Sequence, residues 1–263
     1  MTLQGTITKM LTENGSPIQY YLNFESDFLH INTFLNKNIE IQHVGYQCLT
    51  CLKPKKIFRQ GCCYDCFMSS ASVGDWIMKP ELSTAHLDIE DRDLTYEKKV
   101  QLQPHIVYLA LSGNVKVGVT RKTQVPTRWI DQGATKAIPI VEVPNRYLAG
   151  ITEVALKNHF ADKTNWKSML ENNLTATNLV NIQQSTFDWL PAEAKPYFLE
   201  KPTEITFEYP MLKYIKIIKS LNLETAKTIE GKLIGIKGQY LIFDNGTALN
   251  VRTYEGFVVK ISL

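Results

Sequence analysis

The sequence has no long apolar run, no cysteine outside one short segment and no strong excess of either charge. A helix that crosses a bilayer needs about 18 or more consecutive apolar residues, so the absence of such a run predicts that the chain does not span a membrane. The first residues, MTLQGTITKMLTENG, also lack the charged start, apolar stretch and small-residue cleavage site of a secretory signal. We therefore expect a cytoplasmic protein.

Two common catalytic patterns are missing as well. The chain shows no Ser, His and Asp in a hydrolase order and no glycine-rich loop of the kind that cradles phosphates. The sequence therefore gives no support to a serine hydrolase or a nucleotide kinase. The 263 residues are 44% hydrophobic, which is enough to bury a core in one large domain or two smaller ones.

The net charge of +3 is too small to indicate a polyanionic partner by itself, but the basic residues are unevenly distributed. Residues 114–136 carry five cations and one acid, Asp131. Residues 209–240 carry six lysines against Glu224 and Glu230. Either stretch can follow a phosphate backbone, and either can equally consist of lysines that solvate exposed strand edges.

All five cysteines lie in CLTCLKPKKIFRQGCCYDC, between positions 48 and 66. Cys48 and Cys51 form one Cys-x-x-Cys pair, and Cys63 and Cys66 form a second. Two such pairs allow four thiolates to converge tetrahedrally on one ion, and soft thiolates in a redox-inert site favour zinc. An iron–sulfur centre and an empty site are the alternatives, whereas a reducing compartment disfavours disulfides. Four thiolates leave no open coordination position, which predicts a structural zinc ion.

The fifth cysteine, Cys62, makes the second pair ambiguous because it could replace Cys63 as a ligand. Cys63 fits better, since its spacing to Cys66 repeats that of the first pair. Basic side chains surround the cysteines, and they either contact nucleic acid or solubilise the ribbon: Lys53, Lys55, Lys56 and Arg59.

The strand, helix and turn patterns predict an α+β fold. The central part shows the order strand, turn, strand, helix, strand and helix, followed by a further helix in LENNLTATNLVNIQ. A proline-rich linker from Pro191 to Pro202 then leads to strands that predict an antiparallel β-barrel or sandwich, able to share a sheet with the N-terminal strands. The predicted segments are an N-terminal β-rich part, the zinc ribbon, a connecting segment, the central module with its following helix, and a C-terminal β domain: 1–47, 48–66, 67–104, 105–190 and 191–263.

The central module carries the residues with the most chemistry. VYL at 107–109 and KVGVT at 116–120 resemble the paired motifs of GIY-YIG nucleases. The resemblance implies that Tyr108 and Gly118 match the tyrosine and glycine of those motifs, Arg128 the helix arginine, and Glu153 the acid that binds Mg²⁺ or Mn²⁺. Lys116 stands where the second motif has its tyrosine. A lysine can hold a phosphate, but with an ordinary pKa it is a poor general base near neutrality.

These residue types suit phosphodiester chemistry. Cleavage requires a base for water, a cation for the charged transition state and a carboxylate that holds a divalent metal. Each residue also has a structural interpretation, with Tyr108 as a core tyrosine and Glu153 as the ion-pair partner of Lys157 at i, i+4. The expected catalytic residues are Tyr108, Lys116, Arg128 and Glu153, and the expected nucleic-acid contacts are Lys116, Arg121, Lys122 and Arg128.

Several motifs spread over most of the chain are informative together: the first Cys-x-x-Cys pair, QGCCYDCF, VKVGVTR, PTRWIDQGA, RYLAGITEVALK, DKTNW and GIKGQYLIFDNG. With these motifs the sequence resembles uncharacterised bacterial proteins of domain-of-unknown-function family 2797. The resemblance implies no activity. Relatives carry further Cys and His residues just after the ribbon, whereas SVGDWIMKPELSTAHLDIEDRD contains no cysteine, so we expect no second metal site here.

The sequence is compatible with three functions. The first is a cytoplasmic, zinc-containing protein that binds DNA or RNA on a GIY-YIG-like scaffold. The second is a metal-dependent endonuclease or other phosphodiesterase, and the third is a scaffold for protein–protein interaction. The first two functions predict a cleft lined by Lys116, Arg128 and Glu153 with an open basic approach. Burial of Arg128 and Glu153 in a mutual ion pair, with no cleft, would exclude both and favour the third.

Overall fold

The computed structural model describes residues 2–24, 27–160, 165–175 and 177–263, so Asp162, Lys163 and Thr164 of the DKTNW motif lie outside the described residues. The strands are β1 (Thr2–Thr6), β2 (Leu11–Glu13), β3 (Gln19–Asn23), β4 (Phe28–His30), β5 (Asn38–Tyr46), β6 (His105–Ser112), β7 (Asn114–Arg121), β8 (Lys136–Val143), β9 (Ile205–Thr206), β10 (Lys219–Ser220), β11 (Thr228–Lys237), β12 (Tyr240–Phe243), β13 (Thr247–Asn250) and β14 (Phe257–Ser262). The helices are α1 (Tyr64–Ser69), α2 (Leu94–Gln101), α3 (Thr127–Asp131), α4 (Arg146–Leu156), α5 (Trp166–Leu170), α6 (Leu179–Ser185) and α7 (Leu223–Ala226). Among these residues, no helix combines the length and apolar composition that a membrane span requires.

The chain forms two compact units with mixed α and β structure. Unit 1 comprises Met1–Ser69 and Glu208–Leu263, and unit 2 comprises Ser70–Phe207. Unit 1 therefore combines the two ends of the sequence, and unit 2 is the segment between them.

Unit 1 is built on a seven-stranded sheet in the order β1-β14-β5-β11-β12-β13-β10, with a smaller sheet β2-β3-β4. The long strand β11 pairs with β5 through its first half and with β12 through its second half, and the register shifts between Leu233 and Gly235. A shift of this kind bends a strand and turns its two halves toward different neighbours. The described residues form no closed barrel, because β1 and the two-residue strand β10 remain at opposite edges of the sheet.

Unit 2 contains the four-stranded sheet β7-β6-β8-β9. Gly113 forms the tight β6–β7 turn in the left-handed region, at φ 85°, which glycine adopts without a steric penalty. Helix α3 connects β7 to β8, and α4 follows β8. The Asn145 side chain begins α4 by accepting the backbone N–H of Leu148 at 2.9 Å.

The sheet of unit 2 has two different faces, because successive strand residues point to opposite sides. One face is apolar and packs against α4 and α6, whereas the other carries Tyr108, Lys116 and Gly118. The apolar face and its partners form a buried core that includes Val107, Leu109, Leu111, Val117, Ile138, Val141, Val143, Leu148, Leu156 and Leu179. This core fixes the sheet, whose second face carries part of the candidate site.

The segment after α4 differs from its predicted structure. LENNLTATNLVNIQ was expected to form one helix, but the helix α6 begins only at Leu179. Asn165 and Asn178 instead act as N-caps, since each side-chain oxygen accepts a backbone N–H from the first turn of the helix that follows it, α5 or α6. Asparagine favours such caps over helix interiors because its side chain competes for backbone hydrogen bonds.

The proline-rich passage expected to be a linker packs along β8. The N–H of Leu199 donates to the carbonyl oxygen of Ile140 at 2.9 Å, and Phe198 forms a bridge with Val141. The following strand, β9, pairs with the start of β8. These residues therefore extend the sheet of unit 2.

Candidate metal centre and cationic site

The four predicted ligands Cys48, Cys51, Cys63 and Cys66 come together in unit 1. Their Sγ atoms all lie within 4.8 Å of one another. A tetrahedral zinc ion with Zn–S bonds of about 2.3 Å requires sulfur atoms roughly 3.8 Å apart, which this arrangement approaches. The N–H of Cys63 donates to Cys48 Sγ at 3.2 Å, a hydrogen bond that favours the thiolate form. The four cysteines can therefore hold a metal ion such as zinc.

Two local turns position these sulfur atoms. Cys48 and Cys51 lie just after β5, in a turn closed by the N–H of Leu52, which donates to the carbonyl of Cys48 at 2.8 Å. Cys63 and Cys66 bracket the first turn of α1. A one-pair hairpin joins the two turns, with a bridge between Arg59 and Cys62. The ribbon thus uses little regular structure, as is usual where a metal supplies much of the stability.

Cys62 is buried but does not belong to the group of four. Its Sγ lies 3.2 Å from Oγ1 of Thr50, and its neighbour Cys63 provides the fourth sulfur. The geometry therefore places Cys63 at the ligand position that the spacing had favoured.

The second candidate site centres on Tyr108 in the middle strand of unit 2. Tyr108 is fully buried, and its hydroxyl donates to Oε1 of Gln132 at 3.0 Å. Gly118 is paired with it on β7, and a Cβ atom at position 118 would lie 2.7 Å from the tyrosine hydroxyl. Glycine is therefore needed at 118 to make room for the ring. Burial raises the pKa of Tyr108 to about 12, so the hydroxyl stays protonated and can donate.

Lys116 lies on the same face of the sheet and is only 7% exposed. Burial, followed by the positive charge of Arg128, lowers the pKa of Lys116 to about 8. The argument that a lysine with an ordinary pKa is a poor general base therefore does not apply to Lys116 in its folded environment. Roughly a tenth of the side chain is neutral at pH 7, which gives it some capacity to accept a proton.

Arg128 lies on α3, and its positive charge acts on both Tyr108 and Lys116. Burial has the largest effect on the pKa of each of three residues: it raises that of Tyr108 and lowers those of Lys116 and Arg146. The positive charge of Arg128 lowers all three pKa values. Arg128 lies close enough to Tyr108 to lower the pKa of its hydroxyl, against the larger effect of burial. Arg128 is half-buried, so its guanidinium group combines packing against the module with access to solvent.

Arg146 adds a further cation at the start of α4. Its Nε and Nη2 donate to the carbonyl oxygens of Trp76 and Ile77 at 3.1 and 2.7 Å. Burial lowers its pKa to about 10, with opposing contributions from the negative charge of Glu153 and the positive charges of Arg121 and Arg128. We call Tyr108, Lys116, Arg121, Arg128, Gln132, Arg146 and Glu153 the cationic site.

Glu153 is the acid of this site, and its pKa is raised by burial. Its Oε2 lies 3.5 Å from Nζ of Lys157, the i, i+4 ion pair that the spacing had suggested. Among the salt bridges of the described residues, Glu153 is paired with Lys157 and not with Arg128. The described residues therefore show no ion pair between Arg128 and Glu153, which was the pairing expected of an interaction scaffold.

Lys122, which was also expected to contact nucleic acid, forms an ion pair at the surface. Its Nζ lies 2.7 Å from Oε1 of Glu142 in an exposed ion pair.

Two residues of the cationic site, Gln132 and Arg146, were not predicted from the sequence. Gln132 follows Arg128 by four residues, a spacing that places both on one side of a helical turn, and Arg146 opens the RYLAGITEVALK motif.

Metal-binding geometry is found at the cysteines and not at Glu153. In the described ranges, the four cysteines are the one group of three or more His, Cys, Asp or Glu side chains that meet closely enough for a metal ion. A divalent ion at Glu153 would therefore need water or substrate oxygens as its other ligands.

Comparison with known proteins gives one family relationship. Neither the curated proteins nor the solved structures include a significant match to this chain. The family model described as protein of unknown function (DUF2797) matches residues 36–259, a span that contains both the four cysteines and the cationic site. The chain therefore belongs to the DUF2797 family.

Proposed function

We propose that the protein binds nucleic acid through phosphodiester contacts at the cationic site, while a zinc ion stabilises the cysteine ribbon. The observation that carries this proposal is the position of Arg128, whose positive charge acts on the buried Tyr108, on Lys116 and on Arg146. The charge of Arg121 acts on Arg146 as well. Glu81 and Glu153 compensate part of this positive charge, and a bound anion would compensate the rest.

A phosphodiester group fits the donors of this site. Guanidinium groups bind phosphate oxygens with two parallel hydrogen bonds, and Arg128 is the half-buried arginine beside Tyr108. A phosphate near Lys116 would favour its charged form and return its pKa toward the ordinary value. Binding near pH 8 should therefore take up protons.

The order of elements also supports the proposal. The hairpin β6–β7, helix α3, strand β8 and helix α4 follow the order that the GIY-YIG resemblance implies. Gly118 of the second motif packs against Tyr108 of the first. Unit 2 is accordingly a GIY-YIG-like scaffold in this proposal.

Hydrolysis of the bound phosphodiester is the second candidate function. It rests on the lowered pKa of Lys116 and requires the phosphate to contact Arg128 rather than Lys116, so that part of the amine stays neutral and can accept a proton from water. Glu153 would hold Mg²⁺ or Mn²⁺, which would polarise the phosphate. Arg128 would stabilise the charge that develops on the phosphate oxygens.

A single experiment separates these functions. Labelled single- and double-stranded DNA and RNA are incubated at low salt, with and without Mg²⁺ or Mn²⁺, with the wild-type protein and the variants Arg128→Ala and Glu153→Gln. Binding that Arg128→Ala weakens supports the proposed function, and metal-dependent cleavage that both variants lose supports hydrolysis. No binding to any of the four substrates would contradict both functions and favour an interaction scaffold.

A further inference from the structure

The ribbon of unit 1 exposes aromatic rings beside its metal centre. Phe58 is 47% exposed and Tyr64 is 59% exposed, and their ring centroids lie 5.3 Å apart in an edge-to-face contact. Phe67 supports Phe58 from a second edge at 5.2 Å. We call Phe58, Tyr64 and Phe67 the aromatic platform. About half of the surface of Phe58 and Tyr64 remains exposed to solvent despite these contacts, so their clustering points to a binding surface.

The metal-binding turns hold this platform in place. Tyr64 lies between the two ligands Cys63 and Cys66 in α1. The N–H of Phe58 donates to the carbonyl oxygen of Cys62 at 2.8 Å. A zinc ion that fixes the two turns would therefore also fix the two rings, which lowers the entropy lost when a flat ligand stacks on them.

Positive charge accompanies the rings. The Arg59 guanidinium lies 5.4 Å from the centroid of Phe58, and Lys53 is exposed nearby in sequence. Lys55 and Lys56 are partly compensated, since they pair with Asp65 at 2.6 Å and Glu224 at 3.3 Å. Four thiolates with one zinc ion carry a net charge of about −2, which these lysines also screen. Arg59 remains the cation that faces a ring of the platform.

Single-stranded nucleic acid matches both features. Every base offers a flat face for stacking, and every linkage offers a phosphate for a cation. We propose that the aromatic platform binds unpaired bases by stacking on Phe58 and Tyr64, with Arg59 contacting the adjacent phosphate. This contact lies in unit 1 and does not depend on the cationic site of unit 2.

The test compares bases with a backbone that lacks them. The zinc-loaded full-length protein is titrated with a labelled oligothymidine and with an abasic oligonucleotide of equal length. We expect the oligothymidine to bind about tenfold more tightly, and Phe58→Leu/Tyr64→Leu to abolish most of this preference. Leucine keeps the apolar volume but lacks a flat ring, and the zinc content of each variant is measured as a check of the fold.

The controls separate this proposal from the function of unit 2. Phe28→Ala removes a 68% exposed ring of unit 1 outside the ribbon and should leave the preference unchanged. Arg128→Ala should weaken both oligonucleotides by the same factor if the cationic site binds phosphate. Equal affinity for the two oligonucleotides, no binding of either, or an unchanged preference in the double leucine variant that retains zinc would overturn the proposal.

Discussion

At the scale of single residues, Lys116 combines burial with a positive charge. Its folded pKa of about 8 lies below the ordinary value of 10.5. At pH 7 the lysine is protonated in both states, so the folded state bears the cost of the buried charge. Between pH 8 and 10.5 the unfolded chain binds more protons, and the contribution of this residue to stability rises with pH.

Replacement of Lys116 by methionine tests this balance. We expect Lys116→Met to raise the free energy of unfolding at pH 7 by on the order of 2 kcal/mol, because the buried charge is removed. The gain should shrink as the pH approaches 10.5. Urea denaturation at pH 7 and pH 10 measures both values, with Lys99→Met as the exposed control. A gain that is the same at both pH values would contradict the assigned pKa.

The close packing of Gly118 against Tyr108 leads to a second prediction at the scale of single residues. In Gly118→Ala, the new methyl group would lie 2.7 Å from the Tyr108 hydroxyl and would displace the ring from Gln132. We expect a loss of about 1–3 kcal/mol in the free energy of unfolding, typical of overpacking. Gly45→Ala is the matched strand control, because its nearest neighbour would be 3.9 Å away. Equal stability of the two alanine variants would disprove the packing role.

At the scale of elements, the cysteine ribbon gives the clearest test of ligand identity. Cys51→Ser removes one sulfur of the group of four and should lose zinc, because a three-thiolate site binds it more weakly. Cys62→Ser should retain one zinc per chain, since its sulfur contacts Thr50. Metal analysis of the purified variants measures both ratios. Zinc loss in Cys62→Ser with retention in Cys51→Ser would reverse the assignment.

Elements with strong local patterns could be predicted from the sequence. The spacing of the cysteines indicated the ligand group, and the β-branched runs around Gly113 indicated the hairpin β6–β7. Less could be predicted where distant contacts decide the structure. Glu97 lies in a strongly charged stretch of sequence, yet its side chain is buried. Its carboxylate accepts the backbone N–H groups of Asp91, Arg92 and Asp93, which no local pattern indicates. The spacing of Gln132 from Arg128 places the two on one side of a helical turn but does not show that Gln132 accepts the hydrogen bond of Tyr108.

At the scale of the whole molecule, the formal net charge of +3 provides little long-range attraction for a polyanion. Any strong, salt-dependent binding of nucleic acid must therefore come from local contacts. The separation of the chain into two units gives each proposed contact its own place, with the aromatic platform in unit 1 and the cationic site in unit 2. Variants of one site should then leave the other intact, because residues that share no partners usually act additively.

The central claim is that the cationic site contacts phosphate, and the salt dependence of binding tests it most directly. The affinity for a labelled single-stranded oligonucleotide is measured over a range of salt concentrations for the wild type, Arg128→Ala and the charge-matched control Lys98→Ala. We predict that Arg128→Ala weakens binding about tenfold at low salt and reduces the slope of log affinity against log salt by about one, while Lys98→Ala changes neither. A slope and affinity for Arg128→Ala equal to those of the wild type would contradict the account.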